Sequence, residues 1–99
     1  MLIGQDSPIL KVIAFLIRNR EYDYSKTDIA KGAKISRTTL FKIWNTLEKL
    51  DIVSETRNVG KAKMYKLNER NPIVQKFIEL DNVISEYVEK SSKISVKAQ

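Results

Sequence analysis

The sequence predicts an α+β, mostly helical fold: three helices, a β-hairpin, then one further helix. Three observations carry that expectation. Ser7, Ser25 and Ser36 each stand just ahead of a run with helical apolar spacing, where a side-chain oxygen caps free N–H groups. Between Val53 and Leu67 the pattern changes to alternation around a glycine-containing tip, Asn58-Val59-Gly60-Lys61. From Pro72 the helical period returns, with Ile73, Phe77, Leu80, Ile84 and Tyr87 at steps of four, three, four and three.

In chain order, Ser7-Pro8 opens the first helix, with proline at a position whose N–H would go unused. Ile9, Leu10, Ile13, Leu16 and Ile17 share one face of the run to Arg20, and Val12, Ala14 and Phe15 widen it. A face that broad has room for both the domain core and a second subunit. Arg18 and Arg20 suit the negative end of the helix. Glu21-Tyr22-Asp23-Tyr24 alternates aromatic and acid, as a very short strand would. Ser25-Lys26-Thr27-Asp28 has the form of a capping box with Asp for the usual Glu, and opens a short helix ending near Gly32. Gly32 reads as the left-handed break.

The third helix, Ser36 to Leu50, places Leu40, Ile43, Trp44, Leu47 and Leu50 on one face, which makes Trp44 a core residue. Arg37, Thr38, Phe41, Lys42, Asn45 and Lys49 fall opposite. Cations meet phosphates, and Arg or Asn can bond base edges in pairs, so this face suits a DNA groove. An ordinary solvated face has similar chemistry, and the neighbouring segments decide between them. The hairpin that follows carries Arg57, Asn58, Lys61 and Lys63 around its tip without an acid. Asn71 and Pro72 start the last helix, which runs to Lys90. Its heptad seam is joined by a second stripe of Val74, Ile78 and Val88. One stripe covers the domain core; a second chain, in an antiparallel helix pair, is the preferred cover for the other. Residues 91–99 are small and polar and read as a disordered tail.

Charge sharpens the picture. The formal net charge is +6. From Tyr24 to Leu67, ten Lys or Arg stand against four acids, while the rest of the chain balances eight against eight. The whole excess therefore lies in the middle segment, the footprint of a polyanion binder. The chain has no cysteine and no histidine, which excludes disulfides, thiol redox chemistry and the common zinc and iron sites. It also removes the commonest nucleophile–base pairs, so neither an enzyme nor a cofactor is expected. The longest apolar run, Val12 to Ile17, is far short of the ~20 residues that span a bilayer. Met1 to Asp6 lacks the basic start of a signal peptide. These features predict a soluble protein of the cytoplasm, associated with the nucleoid, with no membrane or metal partner.

The order helix, short strand, helix, turn, helix, basic hairpin resembles the winged helix-turn-helix DNA-binding regulators. The resemblance rests on Ile35-Ser36-Arg37-Thr38-Thr39-Leu40, on Leu47-Glu48-Lys49-Leu50-Asp51-Ile52-Val53, and on Lys66-Leu67-Asn68 with Asn71-Pro72-Ile73-Val74, the last two being similar to small archaeal regulators. It covers roughly residues 8 to 90. The chain departs from the family pattern at Asp51, where glycine is usual, and at Phe41, where a polar residue is commoner. The resemblance implies a DNA-binding domain over residues 1–70 and a dimerisation helix over 71–90. The helix from Ser36 would lie in the major groove, with Arg37, Thr38, Phe41, Lys42 and Asn45 meeting bases and flanking phosphates. Ser25, Lys26 and Thr27 would hold phosphate at the start of the second helix. Arg57, Lys61 and Lys63 would meet the backbone or the minor groove. Ile73, Phe77, Leu80, Ile84 and Tyr87 would form the dimer seam. The implied partners are double-stranded DNA and a second copy of the chain. Three functions compete: a sequence-specific homodimeric transcription regulator, a non-specific architectural DNA binder, and a winged-helix module for protein–protein contacts.

Overall fold

Serine caps start each of the first three helices. Ser7 Oγ accepts from the Leu10 N–H at 3.3 Å, Ser25 Oγ from the Asp28 N–H at 3.2 Å, and Ser36 Oγ from the Thr39 N–H at 3.0 Å. These caps fix α1 (Pro8–Arg18), α2 (Lys26–Ala33) and α3 (Arg37–Lys49). The hairpin strands β1 (Val53–Val59) and β2 (Ala62–Leu67) follow, then α4 (Pro72–Ala98). The computed structural model describes the backbone of residues 6–98 and the side chains of residues 6–90. Residues 1–5 and Gln99, the end of the expected tail, lie outside the described residues.

Three helical faces meet in one core. Val12, Ile13, Leu16 and Ile17 from α1, Ile29 and Ala30 from α2, and Leu40, Trp44 and Leu47 from α3 are all buried. The strands pair antiparallel, with a bulge between Glu55 and Arg57. The base of the hairpin closes the core with Val53, Tyr65 and Leu67, while its residues 55–63 are exposed. Burying this much apolar surface, at about 25 cal/mol per Å2, is what stabilises a domain of this size.

Several sequence expectations change. The left-handed residue after α2 is Lys34 (φ 60°), not Gly32. Gly32 lies inside the helix because the Phe15 ring occupies the space a Cβ would need. The short strand before α2 shrinks to one bridge, Tyr24 with Tyr65, whose N–H groups donate to each other's carbonyls at 2.8 and 2.7 Å. Asp51 does adopt the left-handed conformation (φ 57°) in which the family pattern has glycine. Helix α4 continues through the expected tail to Ala98, since no Gly or Pro between Ser91 and Ala98 stops it.

Two asparagines join α3 to α4. Asn71, buried, donates from its side-chain amide to the Leu50 carbonyl at 2.6 Å and the Asp51 carbonyl at 2.7 Å. Its Oδ1 accepts from the Ile73 N–H at 2.8 Å, so one side chain closes α3 and opens α4. Asn68 adds a 3.0 Å bond from its side-chain amide to the Asp51 carbonyl. On α4, Val74 is fully buried and Phe77 and Ile78 pack on the core. Phe77 thus belongs to the domain side as well as the expected seam. Farther along, Leu80, Val83 and Tyr87 are exposed by 42%, 49% and 68%.

Candidate nucleic-acid interface

The helix-turn-helix and the hairpin enclose an open cleft of about 320 Å3. The start of α2 contributes Ser25, Lys26 and Thr27; α3 contributes Arg37, Leu40 and Phe41; the hairpin contributes Lys61, Ala62, Lys63 and Tyr65. Seven residues expected to touch DNA, far apart in sequence, thereby share one concave surface. Helix geometry explains the convergence. Ser25 is the cap of α2 and Arg37 the first residue of α3, so two positive helix ends lie close to the Lys-bearing hairpin.

The other expected contacts lie at the cap or along the length of α3, or on β1. Ser36 serves the helix first: besides capping, its hydroxyl donates to Thr39 Oγ1 at 2.8 Å. Thr38, Lys42 and Asn45 are exposed along α3, outside the cleft lining. Phe41 is 54% exposed, an apolar ring at the cleft wall. Arg57 is differently engaged. Its Nε donates to Asp23 Oδ2 at 2.9 Å and its Nη2 to Asp23 Oδ1 at 3.1 Å. Thr56 Oγ1 donates to the same carboxylate at 2.6 Å. Hydrogen bonds from Arg57 first and Thr56 second hold the Asp23 carboxyl down at about 2. Arg57 is correspondingly held in its charged form. This pair ties the hairpin to the segment before α2, so the Arg57 cation is already matched. Lys63 lies 3.8 Å from Glu55, a looser and exposed contact.

Sequence reasoning missed an aromatic cluster at the back of the cleft. Tyr65 meets Trp44 edge-on, with ring centroids 4.8 Å apart. The ammonium of Lys26 stands 4.9 Å from the Trp44 ring centroid, 5.7 Å from Tyr65 and 5.9 Å from Phe41. Burial, with Glu55 and Glu48 nearby, pushes the Tyr65 phenol up. No local pattern could have found this cluster, because its members come from three elements.

No protein-family model matches the sequence, and no curated protein matches it. Solved structures do. MepR, a transcription regulator of the Staphylococcus aureus multidrug efflux pump MepA, superposes with a TM-score of 0.68 at 16% identity, over 90% of this chain and 64% of MepR. The homodimeric winged helix-turn-helix DNA-binding domain of Mb0332 from Mycobacterium bovis gives 0.64 at 18% identity, over 86% of this chain and 74% of that one. Sso10a-2, a DNA-binding protein from Sulfolobus solfataricus, gives 0.56 at 19% identity, over 91% of this chain and 94% of its own. The chain thus spans under two thirds of MepR and nearly the whole of Sso10a-2. At these identities the likeness establishes the fold, which is a winged helix-turn-helix with an added C-terminal helix.

Proposed function

We propose that this chain is a homodimeric transcription regulator that binds double-stranded DNA in a sequence-specific manner. The observation that carries the reading is the cleft where α2, α3 and the wing converge with Lys26, Arg37, Lys61 and Lys63. Arg37, Lys61 and Lys63, beside two helix N-termini, match a phosphate backbone, and the exposed α3 residues beside them match a major groove. Arg37 and Asn45 read base edges; Ser25 and Thr27 hold phosphate; Lys61 and Lys63 follow the backbone or minor groove. The fold of a Staphylococcus regulator and of a Sulfolobus DNA-binding protein supports the same reading.

Self-association is the second half of the proposal. Ile73, Leu80, Val83 and Tyr87 leave an apolar stripe exposed along α4, with Ile84 half-buried within it. A second α4 covers that stripe, and the homodimeric Mb0332 domain shares the fold. Dimerisation joins two half-sites and sums their binding energies.

Selection of bound sequences from a random duplex pool, at near-physiological salt, tests the proposal. An enriched palindrome with half-sites about one helical turn apart is the expected result. Binding without enrichment would move the reading to an architectural DNA binder, and no binding would move it to a protein-interaction module. Arg37→Ala or Asn45→Ala should cost about 1–3 kcal/mol at one base position. Lys61→Ala should weaken all sequences alike and flatten the salt dependence. Ile84→Lys should convert a sedimenting dimer to a folded monomer; a monomeric parent chain at micromolar concentration would refute the dimer.

A further inference from the structure

We propose that Lys26 is a positioning residue that sets the wing against the recognition helix, rather than a phosphate contact in its own right. The inference rests on the DNA-binding reading above only for its effect on selectivity; its structural half concerns the free chain.

The geometry points this way on three counts. First, Lys26 is half-buried, unlike Lys61 and Lys63 in the same cleft, which are exposed. Its ammonium lies within about 6 Å of three ring centroids, the distance at which a cation is attracted to a ring face. Those rings belong to α3 (Trp44, Phe41) and to β2 (Tyr65), while Lys26 itself begins α2. One side chain thus joins every element of the cleft.

Second, of the three rings around the Lys26 ammonium, that of Trp44 lies nearest, at 4.9 Å. Tryptophan offers the strongest ring face to a cation. Third, Tyr65 is the residue through which the wing joins the body, by its two backbone bonds to Tyr24 and its edge contact with Trp44. Holding Tyr65 against Trp44 therefore holds the wing. Losing the cation loosens the wing's angle to α3, and with it the alignment of base-reading side chains with wing contacts.

The test uses the full chain with Lys26→Gln and Lys26→Arg. In the free protein, hydrogen exchange at the Tyr24 and Tyr65 amides should quicken about five- to thirtyfold in Lys26→Gln and return toward the parent rate in Lys26→Arg, whose guanidinium also stacks on rings. The single tryptophan makes emission a report on residue 44 alone, and it should change in Lys26→Gln. On DNA, Lys26→Gln should lower the cognate-to-random affinity ratio by a similar factor while the slope of log affinity against log salt stays constant. Unchanged exchange and emission overturn the proposal whether or not the chain binds DNA. A slope reduced by about one with an unchanged ratio overturns it too, since that is the loss of one phosphate contact. Failure of the parent chain to bind any duplex refutes the DNA reading, and exchange then decides the role of Lys26.

Discussion

The wing and the last helix leave the same core with opposite surfaces. The wing departs through Val53, Tyr65 and Leu67, and its outer residues are Lys61, Lys63 and other polar groups, with Val59 the one large apolar side chain exposed there. Helix α4 departs through Asn71 and Val74, and its outer stripe is Leu80, Val83 and Tyr87. Water solvates the first surface at little cost and the second at a free-energy cost proportional to its apolar area. The wing therefore presents cations to water and α4 an apolar stripe, and the proposed DNA and dimer contacts would take up one surface each.

The largest effect expected of this contrast separates two tyrosines. Tyr65 is 5% exposed at the wing base and Tyr87 is 68% exposed on α4. Tyr65→Ala should destabilise the domain by about 3–5 kcal/mol, as loss of a large core aromatic does. Tyr87→Ala should stay within about 0.5 kcal/mol in the monomer, measured by urea unfolding at a concentration too low for association. Equal effects would mean that α4 packs on its own domain along its whole length.

The junction comes next. Asn71→Ala removes the donor to the Leu50 and Asp51 carbonyls and the acceptor for the Ile73 N–H together. Buried polar groups left unpaired should cost about 1–3 kcal/mol in the same unfolding measurement. Asn71→Asp keeps the acceptor but not the donor, so it should restore only part of the loss. A neutral Asn71→Ala would show that the angle between α3 and α4 is set by Val74 and Phe77 instead.

What the sequence made legible follows the same line between local and tertiary forces. Serine caps, the periodicity of α3 and the hairpin are local signals, and all of them stand in the structure. The misreadings are tertiary. Gly32 reads as a helix end until the Phe15 ring, from the preceding helix, is seen against it. Lys34 then takes the left-handed turn, at roughly the 1–2 kcal/mol such a backbone costs a side-chain-bearing residue. The ion pair of Arg57 went unforeseen because its partner, Asp23, lies in a different segment. The rings around Lys26 went unread because no spacing rule places Trp44 and Tyr65 beside it. The candidate cleft was legible as a set of residues, and the contacts that tie them to other segments were not.

The smallest expected effect concerns the polar tie that holds the wing nearer its tip. Asp23 has a carboxyl pKa of about 2 in the folded chain against an ordinary 3.8. Because the folded value is the lower one, the pair stabilises the folded chain fully above the ordinary value, and that contribution is lost as pH falls through about 2. Hydrogen exchange in the hairpin, referenced to core amides at each pH, should therefore show the wing loosening selectively as pH falls below about 4. Asp23→Asn should abolish that selective loosening and leave Arg57 unmatched. On DNA, the freed guanidinium should then steepen the salt dependence by up to about one phosphate's worth. An unchanged slope would assign Arg57 wholly to holding the wing, and the division between anchoring and DNA-facing cations would then fall between Arg57 and the pair Lys61 and Lys63.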